Sequence, residues 1–174
     1  MKKILFMVIN MNIGGTEKAL LNLISELPKD QFEITILMLE EYGGFLESIP
    51  KNINMEYVDG YREIKKLVNN PLRISIKNAL KNRRIIESLS LFFIFIMTKL
   101  LGDHSIFFKY ILKNIPNIKK EYDIAVAYAG PMDFISYFVI RKIEANKKIQ
   151  WVHFDVTKIG FSKKFSKRLY KKFN

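Results

Sequence analysis

"ILFMVINMNIGGTEKALLNLISEL", from Ile4 to Leu27, passes from an unbroken apolar run through two glycines into a helical pattern. Ile4 to Ile9 has the length of a strand and is apolar at every position, as a parallel strand covered on both faces must be. Beyond the glycines, Ala19, Leu20, Leu23, Ile24 and Leu27 share one helical face, and Pro28 ends the helix. A strand that feeds a helix through a glycine turn is the opening unit of an α/β fold.

The rest of the chain repeats the alternation. "FEITILML" (Phe32–Leu39) reads as a second strand and "INMEYVD" (Ile53–Asp59) as a third, with "YGGFLESIP" between them making a turn and a short helix. Tyr61 to Lys120 reads as helical, broken by Pro71, Gly102 and Pro116. "YDIAVAYAG" (Tyr122–Gly130) returns to strand, "DFISYFVIRKI" is a buried helix, and "KKIQWVHFD" (Lys147–Asp155) is a further strand. "FSKKFSKRLYKKFN" closes the chain as a basic helix with Phe161, Phe165, Leu169 and Phe173 at near-helical spacing. This order predicts an α/β, Rossmann-like, doubly wound parallel sheet with helices on both faces. In such sheets ligands sit beyond the carboxyl ends of the strands. Three segments share that edge: Asn10–Thr16, Tyr128–Asp133 and His153–Thr157.

Composition narrows the chemistry. The 174 residues suffice for one domain with a real core, and 49% hydrophobic with 26% charged residues makes the chain globular rather than disordered. With no cysteine, disulfides and cysteine-based zinc sites are excluded and a reducing cytoplasm is the expected setting. With His104 and His153 as the two histidines, a histidine-rich metal centre is not expected. The opening "MKKILFMVIN" imitates a signal peptide, but its apolar core is short and no small-residue cleavage site follows; a buried strand accounts for it better. A net charge of +12 implies attraction to anionic lipid, to phosphate-bearing ligands or to nucleic acid; the lesser reading is a soluble lysine-rich surface. No nucleic-acid-binding motif accompanies the charge, so nucleic acid is not an expected partner.

At the turn, Gly14 and Gly15 can take positive φ and let a ligand approach the main chain. The helix start favours phosphate or carboxylate, Thr16 can cap it, and Glu17 sits in its first turn. A simple tight turn explains two glycines as well. The segment is neither a G-x-G-x-x-G fingerprint nor a P-loop, which counts against a nucleotide-binding oxidoreductase.

Taken together, "NIGGTEKALLNLISEL", "YDIAVAYAG" and "KKIQWVHFD" resemble the amino-terminal domain of the glycosyltransferases built from two Rossmann-like domains (the GT-B fold). The nearest likeness is to the retaining family 4, in its capsular and cell-surface polysaccharide branch. The resemblance covers most of the chain and is weakest from Tyr61 to Lys120. It implies transfer of a sugar from a nucleotide-sugar to an acceptor hydroxyl, with a glycan or a lipid-linked sugar as acceptor and no metal or other cofactor. It places Gly14, Gly15, Thr16 and Glu17 near the donor diphosphate and acceptor. His153, at the carboxyl edge, would position the donor sugar by hydrogen bonds rather than act as a base. Asp155 would either orient an acceptor hydroxyl or cap the next turn. Tyr128, Gly130 and Asp133 would face the acceptor, although Gly130-Pro131 can equally be a plain turn. Trp151 and Tyr137 read as core. The paired-glutamate motif of that family's donor-binding domain has no match here. By resemblance, residues 1–174 form a single acceptor-side domain that stops before its last strand, without the donor domain and inactive alone.

The middle of the chain is basic and apolar at once. "SLSLFFIFIMT" is too short to span a bilayer, which takes roughly 20 residues. It is either a core helix or a surface element with Phe92, Phe93, Phe95 and Ile96 in lipid and cations such as Lys99 at the headgroups. The lipid reading, favoured here, makes the expected location the cytoplasm, peripheral at the inner face of the plasma membrane. A non-catalytic membrane-surface or scaffold module on the same core is the alternative function.

Overall fold

The computed structural model describes residues 1–130, 132–153 and 162–174. At its centre lies β1 (Lys2–Val8), whose side chains alternate between two apolar layers: Ile4, Phe6 and Val8 face one side, Leu5 and Met7 the other. Its neighbours β2 (Phe32–Met38) and β4 (Ile118–Ala127) both run parallel to it, Ile4 pairing with Ile34 and with Ile124. With β3 (Asn54–Tyr57) beyond β2 and β5 (Ile143–Gln150) beyond β4, the sheet has five parallel strands in the order β3-β2-β1-β4-β5. This is a Rossmann-like doubly wound α/β fold.

Helix α1 (Gly15–Glu26) returns from β1 to β2 and seats Leu20 and Ile24 on Ile34, Ile36 and Met38 of the first layer. A single 3₁₀ turn, Leu46–Ser48, joins β2 to β3. Four helices then cross the other face before β4: α2 (Tyr61–Asn69), α3 (Leu72–Lys81), α4 (Ile85–Leu101) and α5 (Ser105–Ile111). Between β4 and β5 lies α6 (Met132–Lys142), and α7 (Lys163–Tyr170) packs against it. The second layer is the larger one, built around Phe107, Phe108, Phe134, Phe138 and Phe165. Tyr137 belongs to it, as expected.

Strand order reverses between β1 and β4, so the segments leaving their carboxyl ends diverge to opposite faces and open a crevice. The glycine turn leaves β1 and the Tyr128–Gly130 turn leaves β4, both at that point.

Several boundaries differ from expectation. β4 starts at Ile118 instead of Tyr122, pairing Ile118 with Ile143 across a register irregularity before Glu121. β5 spans Ile143–Gln150 rather than Lys147–Asp155, because as an edge strand it buries little more than Ile143 and carries no apolar run to betray it. Its outer side is partly covered: the Asn174 N–H donates to the Lys148 carbonyl (2.9 Å) and the Lys148 N–H to Asn174 Oδ1 (3.1 Å). The long helical stretch breaks once more than expected, at Asn82–Arg84, where Arg83 adopts φ 56°. There α3 folds back on α4 over small buried residues, Ser75, Ala79 and Ser88, which let the two helices approach closely. The terminal helix is bound to the core by Phe165 and Leu169; Phe161 lies outside the described residues.

Candidate functional site

The loop after β1 is held from behind by the loop after β2. The Met11 N–H donates to the Tyr42 carbonyl (3.0 Å), and the Phe45 N–H to the Met11 carbonyl (2.9 Å). Asn10 Oδ1 accepts from the Asn12 N–H, and Asn12 Oδ1 from the Ile13 N–H (3.2 and 2.9 Å), so this part of the loop is internally satisfied. Gly43 makes the contact possible. It has φ +133°, and a Cβ there would overlap the carbonyl of Met11. The signal for it in the sequence is Gly43-Gly44 just past the second strand.

Gly14 and Gly15 differ from expectation: neither has positive φ. Gly14 is extended (φ −157°, ψ 165°) and is itself the N-cap of α1, so Thr16 falls inside the helix and makes no cap hydrogen bond. What the glycines provide is clearance. A Cβ on Gly15 would meet nothing within 4 Å. A Cβ on Gly14 would overlap Glu17 Oε2, because the carboxylate folds back over the helix start, where the dipole favours negative charge.

Across the crevice, Tyr128 is buried and sits edge-on to Phe6 (5.8 Å between ring centroids, 87°). His153 stands against it, 4.4 Å away at 69°, and Trp151 lies nearly parallel to the imidazole at 6.1 Å and 22°. The Trp151 N–H donates to the Ala127 carbonyl (3.0 Å), which extends the β4–β5 pairing one residue past the strand and places this aromatic wall. Trp151 was expected in the core but is 42% exposed. Burial holds the His153 imidazole below its ordinary pKa, against the opposing pull of a hydrogen bond to the Tyr128 main chain and of the Glu17 charge. Burial first, then Glu17, pushes the Tyr128 phenol up. Glu17 lies within electrostatic range of both residues.

The other expected residues are placed differently. Gly130 takes φ +146° with Ile135 and Ile9 where a side chain would be, so its role is packing. Asp133 turns away from the crevice. It accepts from Ser166 Oγ (3.2 Å) and from the Ser162 main chain, and His104 also acts on it; burial, the largest influence, raises its pKa. It ties α6 to α7. Asp155 lies outside the described residues. Phe92 and Phe93 are exposed on α4, but Phe95 is half-buried, with Arg73 and Lys99 over its ring at 5.4 and 5.8 Å, and does not point outward with them.

Beyond the carboxyl ends of β2 and β3 lies an open cavity of about 490 Å³ lined by Glu40, Tyr42, Tyr57, Asp59, Arg62 and Lys65. Lys65 is ion-paired to Glu40 (2.8 Å). Among the described residues no cluster of three or more His, Asp or Glu side chains could hold a metal ion. No family model, curated protein or solved structure matches the chain.

Proposed function

We propose that this chain is the acceptor-side domain of a retaining glycosyltransferase and that its crevice holds the sugar ring at which transfer occurs. The observation that carries the reading is the packing of Tyr128, Trp151 and His153 against one another at the β1/β4 reversal, with Glu17 within electrostatic range. A sugar needs an apolar face to lie on and hydrogen-bonding groups around its rim. The Tyr128–Trp151 wall supplies the first, and a neutral imidazole with a carboxylate opposite supplies the second. His153, kept neutral by burial, positions a sugar hydroxyl and takes no proton at neutral pH. Glu17 accepts from hydroxyls of donor or acceptor sugar.

The chemistry of the loop refines the role expected of it. The unpaired N–H groups at the start of α1 suit a diphosphate, but Glu17 already holds a negative charge over them. A phosphate at this turn has to displace that carboxylate, whereas a hydroxyl can donate to it. The reading is therefore a sugar-hydroxyl site first, with Gly15 leaving the approach open. The donor is a nucleotide-sugar and the acceptor a glycan or lipid-linked sugar.

Saturation-transfer NMR on the 174-residue chain, with a panel of nucleotide-sugars and of short glycans, tests this. The expected result is transfer to sugar-ring protons of at least one compound, weakened about tenfold in His153→Ala and in Glu17→Gln, as a lost hydrogen bond of about 1.4 kcal/mol dictates. A folded chain that transfers saturation to none of them overturns the reading.

A further inference from the structure

Helix α4 carries its apolar side outward. Ile86, Leu89, Phe93 and Leu100 are 83%, 64%, 62% and 76% exposed. With Ile85, Phe92 and Ile96 they recur at i, i+1, i+4, i+7, i+8, i+11 and i+15, which is one continuous stripe of a helix. The opposite side, through Ser88, Leu91 and Ile94, fixes the helix to the protein. No charge interrupts the stripe, and Lys99 stands at its edge. A stripe of this size is unusual on a free surface and marks a contact.

The surroundings choose the partner. From Leu72 to Lys113 there are eight basic residues and two acidic ones. Both acids are already ion-paired, Glu87 to Arg84 (3.0 Å) and Asp103 to Arg168. At the α3–α4 corner Arg83, Arg84 and Lys113 rim an apolar groove of about 910 Å³ floored by Ile64, Leu67 and Ile111. A second copy of the chain offers this basic corner no unpaired acid from the same region, since Glu87 and Asp103 are already paired. An anionic bilayer instead offers hydrocarbon to the stripe and phosphate to the corner. At about 25 Å long (1.5 Å per residue), α4 is shorter than the roughly 30 Å hydrocarbon layer. Among the described residues no helix is long and apolar enough to cross a membrane.

We propose that α4 lies in the plane of an anionic lipid surface, its stripe at the acyl boundary, with Arg83 and Lys113 on lipid phosphates. This stands independently of the sugar-transfer reading. Because the chain has no cysteine, Phe93→Cys and, on the opposite layer, Lys29→Cys give single-site attachment of an environment-sensitive dye. Vesicles of phosphatidylcholine alone and with about one third phosphatidylglycerol are the probes. The dye at position 93 should shift to the blue on the anionic vesicles and the dye at 29 should not. Flotation should show at least tenfold tighter binding to anionic than to neutral vesicles, weakened by salt. Leu89→Glu should abolish binding with Tm unchanged, and Arg83→Glu with Lys113→Glu should erase the anionic preference. The proposal is overturned if the protein ignores anionic vesicles at low salt, or if binding survives Leu89→Glu. A stable dimer in solution that Leu89→Glu dissociates overturns it too, assigning the stripe to a second copy.

Discussion

A Cβ on Gly43 would overlap the Met11 carbonyl at a backbone angle few side chains adopt, and one on Gly130 would lie 2.7 Å from Ile135 Cγ1 and 2.8 Å from Ile9 Cγ1 at φ +146°. Gly43→Ala and Gly130→Ala should each lower stability by roughly 2 kcal/mol or more in urea titrations, since strain and overpacking act together. Gly15→Ala, inside α1 with open space around it, should be neutral or raise stability by up to about 1 kcal/mol. His153 has a pH signature. Its folded pKa lies below the unfolded value, so the unfolded chain takes up the extra proton and stability falls as pH drops through about 6.5. Between about pH 8 and pH 5, Tm should decline more steeply for the wild type than for His153→Gln. Sequence alone exposes that glycines crowd the sheet's upper rim, but not which of them are sterically required. That depends on which backbone lies opposite, and Met11 reaches Gly43 through folding.

At the scale of elements, what could be read was decided by burial. β1 and β2 are covered on both faces and announce themselves as apolar runs. β5 lies at an edge, and the strand read at Lys147–Asp155 catches only its last residues, because the half from Ile143 carries polar residues and no apolar run. α4 was legible as an uncharged apolar helix. A core and a lipid surface both accept such a run, so which side of it faces outward could not be read. Asp133 is a similar case: its partners Ser162 and Ser166 are some thirty residues away, and only α7 docking on α6 shows its purpose. Its raised folded pKa means that the unfolded chain releases the proton first, so this group's contribution diminishes as pH rises above its ordinary value of 3.8. Asp133→Asn, which can still accept from Ser166, should leave thermal stability at neutral pH unchanged or higher. Asp133→Ala should lower it by about 1–2 kcal/mol, because Ser166 loses its partner.

For the molecule as a whole, the two apolar layers divide the work. The layer with α1 is thin and supports the crevice from below; the layer with α2 to α7 is thick and carries the α3–α4 hairpin outward. The overall charge of +12 was visible from the start, but its distribution was not. Folding pairs both acids of the hairpin region and leaves Arg83 and Lys113 beside the apolar stripe. That pairing turns a generally basic chain into one with a directional basic corner.

Asn174 occupies the donor and acceptor positions of Lys148 on the free border of β5. Among the described residues no strand lies beyond that border, and these two hydrogen bonds occupy it at one point. Displacing Asn174 would free one main-chain donor and one acceptor of Lys148, so this residue guards the edge of the sheet against main-chain pairing at that point.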